Sequence, residues 1–263
     1  MKIYRKIKGV IKESDKSTLI VYVLLRILVI ICMIREIFNG NFNNALLCVL
    51  SLVLFLLPAF VERTFKIDLP NIFEIIILLF IFSAEILGEI NNFYGMFGSF
   101  DSILHTINGF LAASVGFSLI YLLNENLESV NLSPLFVSIV AFCFSMTIGV
   151  AWEFFEYGMD NTFNLDMQKD EYVYNIKTVT IDPKQDNNVV NIDNINHTVI
   201  YDESSNEIVK LNGYLDSGLH DTMKDLLVNF VGALVCSIFG YLYMINKDKY
   251  KIAGKFLTKK RVW

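Results

Sequence analysis

The chain is poor in charge, cysteine, proline and histidine. Of its 263 residues only 19% are charged, and it has four cysteines, four prolines and three histidines. The cysteines, Cys32, Cys48, Cys143 and Cys236, all lie inside apolar runs, and no two have CxxC spacing. Nothing in that pattern implies a disulfide framework, so the thiols read as small apolar packing residues. A basic patch on a soluble face is also missing. Lys and Arg crowd the two ends, acidic residues crowd 160–225, and the net charge is −5. That distribution excludes nucleic-acid binding. The alternating segments of about 10 residues that a membrane β-barrel needs are absent as well. The first apolar run has no small-residue cleavage site and is too long for a signal-peptide core, so it reads as a retained helix.

What the chain has in quantity is apolar sequence. Hydrophobic residues make up 54%, above the soluble norm, in blocks of roughly 20, the length that spans a bilayer. The fold class that follows is all-α: a polytopic six-helix transmembrane bundle with a small, partly β insertion outside the cytoplasm. Residues 1–16 form a basic segment with Ile3, Ile7, Val10 and Ile11 on one helical face, suited to anionic lipid. Five spans are expected within 17–160, at about 18–34, 45–61, 71–90, 101–123 and 135–157. Segment 161–220 is the polar insertion, 221–245 the sixth span and 246–263 a basic tail. The runs YVYNIKTVTID and HTVIYDESSNEIVKL within the insertion are rich in β-branched and aromatic residues and predict hairpin strands.

Two basic ends and an even number of spans place both termini in the cytoplasm by the positive-inside rule. Arg63 and Lys66 then also fall inside, and the Lys- and Arg-free loop 91–100 falls outside, with Arg35 as the one exception. The bilayer is the first partner.

The stretch VAWEFFEYGMD ends the fifth span with Glu153, Glu156 and Asp160 on one helix face. Asp101, His105 and Asn108 share a face of the fourth span, and Asp221, Asp225 and Asn229 a face of the sixth. Given the orientation, these residues fall in layers near the outer surface: Asp101, Asp160 and Asp221, then His105, Glu156 and Asp225, then Asn108, Glu153 and Asn229. Carboxylates that converge repel one another unless protons or a cation neutralise them. Oxygen donors with one imidazole suit Mg²⁺, Mn²⁺, Zn²⁺ or Fe²⁺. Asp101, His105, Glu156, Asp221 and Asp225 are therefore candidate ligands of a divalent metal ion. Glu153 and Glu156 are candidate general bases. Arg26, Glu85, Glu89, Asn108, Asp160 and Asn229 are candidate substrate contacts, with Arg26 suited to a phosphate.

FDSILHTINGF, VAWEFFEYGMD and GYLDSGLHDTMKDLLVNFVGAL resemble the three signature segments of the YjdF-like bacterial inner-membrane proteins. The resemblance covers roughly 85–240. It implies the fold and a location in the cytoplasmic membrane of a bacterium, and it adds Asp216 to the candidate contacts. The connection 161–215 is longer than that family's usual link. The end of the sixth span is also faintly similar to VanZ-like membrane proteins. Three functions stay open at this point. One is a metal-dependent enzyme acting on a lipid or envelope precursor at the outer leaflet. The second is a cation- or proton-coupled transporter, and the third a structural or interaction protein without catalysis.

Overall fold

The computed structural model describes residues 16–65, 67–126, 131–250 and 259–260. The basic N-terminal segment and most of the basic tail lie outside the described residues. The helices are α1 (Lys16–Phe38), α2 (Phe42–Leu54), α3 (Leu57–Phe65), α4 (Asn71–Phe82), α5 (Phe93–Met96), α6 (Phe100–Asn126), α7 (Pro134–Phe163) and α8 (Leu219–Ile245). A π-helical segment, Ser83–Ile90, continues α4. Among the described residues six helical runs are long and apolar enough to cross a membrane: α1, Phe42–Thr64, Asn71–Ile90, Phe100–Asn124, α7 and α8.

Local chemistry sets the breaks between them. Gly40 closes α1 with φ +77. Its N–H donates to Ile37 O and that of Asn41 to Glu36 O, the paired bonds of a Schellman ending, where glycine carries no steric cost. The second span is expected as one helix but breaks at Phe55–Leu56. Pro58 explains the break: its ring collides with the carbonyl four residues back, that of Leu54, and it has no N–H to donate. α7 begins with Pro134, whose missing N–H costs nothing in a first turn. Ser133 Oγ accepts the N–H of Phe136 at 3.2 Å and caps that turn.

The chain divides into two units, Met1–Ala151 with Asp225–Trp263, and Trp152–Lys224. In the first, Leu25, Val29 and Cys32 of α1 pack with Cys48, Phe55, Leu78, Ile81 and Ile86. The opposite face of α1 leaves Ile20, Leu24, Ile27, Ile31 and Ile34 exposed. Water would penalise such a stripe, whereas acyl chains solvate it. A second core joins Leu69 and Phe73 to Leu111. β1 (Ile67–Asp68) pairs antiparallel with β8 (Lys259–Lys260).

α6 and α8 run parallel. Asn108 meets Asn229, Ser114 meets Cys236 and Tyr121 meets Tyr243, a nearly constant offset along both helices. Their backbones touch through reciprocal glycines. A Cβ on Gly109 would stand 2.1 Å from Asn229 O, and one on Gly232 2.0 Å from Thr106 O. Only residues without a side chain allow that approach. α7 runs antiparallel beside α6, with Val137 and Ala141 near Phe117 and Tyr121, and with Ser145 Oγ donating to Gly109 O at 2.8 Å.

Within the second unit the insertion is built from two-stranded antiparallel sheets. β2 (Glu171–Val173) pairs with β7 (Tyr214–Asp216), β3 (Ile176–Thr178) with β4 (Val190–Ile192), and β5 (Thr198–Tyr201) with β6 (Glu207–Leu211). The carboxylate of Asp182 accepts the N–H groups of Lys184, Asp186 and Asn188 at 3.0–3.1 Å. Asp202 does the same for Ser204 and Asn206 in the turn between β5 and β6. These backbone bonds, led by that from Asn188 and that from Asn206, hold both carboxyl groups below the ordinary carboxylate range.

Candidate metal centre

Asp101 stands in the first turn of α6, and His105 one turn further on. Asp225 reaches the same place from the second turn of α8. His105 Nε2 lies 3.5 Å from Asp101 Oδ1 and 3.6 Å from Asp225 Oδ2. One ligand atom from each of the three residues lies within 4.8 Å of the other two. Asp225 is 1% exposed, and Asp101 and His105 are half-buried.

The distances suit a cation. Both exceed a hydrogen bond, and one ring nitrogen faces two carboxylates. Two donors bound about 2.1 Å from a tetrahedral ion stand roughly 3.4 Å apart. The observed separations are of that size. A divalent ion would also offset the repulsion between Asp101 and Asp225, which a single imidazole proton cannot do for both.

Beside the three residues lies a polar floor. Asn108 Nδ2 donates to Asn229 Oδ1 at 3.2 Å, and Asn229 Nδ2 lies 3.6 Å from Met146 Sδ. Asn229 is 1% exposed. Gly149 makes room for it, since a Cβ there would fall 2.7 Å from Asn229 Nδ2. Met146, Gly149 and Gly232 are absent from the sequence-derived set. Their only signal in the sequence is small residues in apolar runs, and its meaning depends on knowing which helix lies opposite.

The other candidates are placed as follows. Arg26 sits midway along α1 with its guanidinium 4.3 Å from the centre of the Tyr22 ring. Glu85 is buried inside the π-helical segment and Glu89 is half-buried in it. Tyr94 covers Gly88 between them. Glu153 and Glu156 belong to the second unit and are both buried, and Trp152 Nε1 donates to Glu156 Oε1 at 2.7 Å. In the same unit Asp160 accepts the N–H groups of Met167 and Gln168 at 2.6 and 2.9 Å. Asp221 accepts the N–H of Lys169 at 2.9 Å, and Asp216 that of His220 at 2.8 Å at the head of α8. These three carboxylates tie the insertion to the helix ends on either side of it. Asp170, beside them, has its carboxyl pushed up by burial and by the charges of Asp166, Asp216 and Asp160.

A family model described as a predicted membrane protein, DUF2238, matches residues 18–246. No curated protein and no solved structure matches the chain.

Proposed function

The chain belongs to the DUF2238 family of predicted membrane proteins, and from that premise we propose that it binds a divalent metal ion through Asp101, His105 and Asp225. The observation that carries this reading is the convergence of two carboxylates from different helices on one imidazole nitrogen, at 3.5 and 3.6 Å. Oxygen donors with one nitrogen suit Mg²⁺, Mn²⁺, Zn²⁺ or Fe²⁺. Three protein ligands leave a position for water or substrate, the pattern of a catalytic rather than a structural site. Such an ion lowers the pKa of a bound water and polarises a phosphoryl oxygen.

The reaction class we infer is metal-dependent attack on a lipid or envelope precursor at the outer leaflet of a bacterial cytoplasmic membrane. Basic ends and an even number of spans support cytoplasmic termini. The likeness of the signature segments to YjdF-like inner-membrane proteins supports the location. Asn108 and Asn229 are proposed as the polar floor beneath the ion. Glu153, Glu156 and Asp221 are left out of the proposed ligand set.

Elemental analysis of the full chain in a mild detergent tests the reading. About one equivalent of divalent metal is expected in the wild type, with loss in His105→Ala and in Asp225→Ala. Equal trace metal in all three proteins overturns it.

A further inference from the structure

The first half of α1 holds a second chemical grouping, apart from the metal centre. Arg26 stands well inside an apolar run, where a charge is costly and is usually paired. It makes no hydrogen bond or ion pair with any described residue. No Asp or Glu lies between Lys16 and Arg35 on its own helix. α1 packs against α2 and α4. α2 contains no acid, and α4 offers Glu74 in its first turn without an ion pair to Arg26.

The guanidinium is nonetheless held in place. Its Cζ lies 4.3 Å from the centre of the Tyr22 ring, and Nε is buried with no acceptor. Tyr22 stands one turn nearer the start of α1, so the side chain runs back toward Lys16, the direction that helical side chains take. The charge is therefore near the level of Tyr22, about 9 Å from the first residue of the helix. One turn further back is Thr18. It is 5% exposed, and its Oγ1 has no hydrogen-bond partner. Thr18, Tyr22 and Arg26 are spaced i, i+4, i+8 and follow one side of α1. Beyond Arg26 on that side, Ile30 and Ile37 are exposed. From Arg26 to Ile37 the helix rises roughly 16 Å, about the depth of one leaflet.

We propose that this side of α1 binds the phosphate of an anionic phospholipid, in the leaflet at which α1 begins. The planar fork of the Arg26 guanidinium pairs with the phosphate oxygens. The Thr18 hydroxyl donates to the same headgroup, and the acyl chains lie along Ile30 and Ile37. Charge selects the class of lipid. A zwitterionic headgroup brings its own cation, which competes with Arg26 for the phosphate. An anionic headgroup brings none, and the guanidinium has no protein carboxylate to satisfy it. If each apolar run crosses, three crossings separate the start of α1 from the start of α6. The lipid site then lies in the leaflet opposite the metal centre, and Arg26 does not serve as the substrate contact that the sequence suggests.

The test uses the full-length protein, stripped of lipid in mild detergent, given phosphatidylglycerol or phosphatidylcholine and read by native mass spectrometry. Wild type should retain phosphatidylglycerol in preference to phosphatidylcholine. Arg26→Gln should weaken that retention on the order of tenfold, and Thr18→Val about threefold. Thr18→Val keeps the shape of the side chain, so it carries the test if Arg26→Gln does not fold. Phosphatidylglycerol should raise the thermal midpoint of the wild type and leave that of Arg26→Gln unchanged. Inorganic phosphate should raise neither. Equal retention of the two lipids, retention unchanged in the variants, or an equal midpoint shift from inorganic phosphate overturns the proposal. Metal content should be the same in wild type and both variants, which keeps this result apart from that of the metal centre.

Discussion

His105 offers one ring nitrogen to two carboxylates, one of which, Asp225, is 1% exposed. At Asp182 a carboxylate settles against backbone N–H groups. Its three backbone donors depress its carboxyl below the ordinary range. A folded-state value below the unfolded one, about 3.9, stabilises the turn fully above that unfolded value, and the contribution is lost as pH falls through the folded one. Hydrogen exchange at Lys184, Asp186 and Asn188 in the full chain, corrected for intrinsic rates, should therefore stay slow at neutral pH and speed up only in strong acid. Asp182→Ala should remove the protection at every pH. The same distinction decides how much of the site could be read from residues. Asp101, Asp160, Asp216, Asp221 and Asp225 look alike in the sequence. The partners that separate them, the N–H groups of Met167, Gln168, Lys169 and His220, come from the entry and exit of the insertion. No helical periodicity reports where that chain returns.

The meeting of His105 with Asp225 has its basis at the level of the elements, because α6 and α8 run parallel with a nearly constant offset. Two helices with the same rise per residue keep equal depths aligned. His105 therefore meets Asp225, and Asn108 meets Asn229. The break after Leu54 and the π-helical run at Ser83–Ile90 are not legible in the same way. Proline is tolerated or breaking in a membrane helix according to its neighbours, and an i→i+5 ladder leaves no compositional mark. The helix pair makes its own prediction. Gly232→Ala would set a methyl 2.0 Å from Thr106 O, which is backbone and cannot rotate away. The helices must part, at a cost of about 3 kcal/mol, and the metal content should fall with the thermal midpoint in detergent. At Gly158 nothing stands within 4 Å of the position a methyl would take, so Gly158→Ala should leave the midpoint equal or higher, since alanine is the better helix former.

At the scale of the molecule, six runs among the described residues are long enough to span a bilayer, and if all six cross, both ends lie on one side. Reporter fusions at residues 1 and 263 should report the same compartment, and opposite compartments would mean that one of the six does not cross. That count is readable from apolar block length alone, because acyl chains demand about the same length of every helix. The arrangement of the insertion is readable only in part. The hairpin β5–β6 lies within one predicted run, but the partners of β2 and β3 lie further along the chain. Short exposed strands carry too little alternation to name a distant partner.

The pairing of Glu171 with Asp216 and of Val173 with Tyr214 brings the two ends of the insertion side by side, about 5 Å apart as neighbouring strands are. Everything between them hangs from a single stem. Residues can be gained or lost beyond that stem without altering the register of any span, so among relatives this region is free to diverge in size while the helices stay fixed in length.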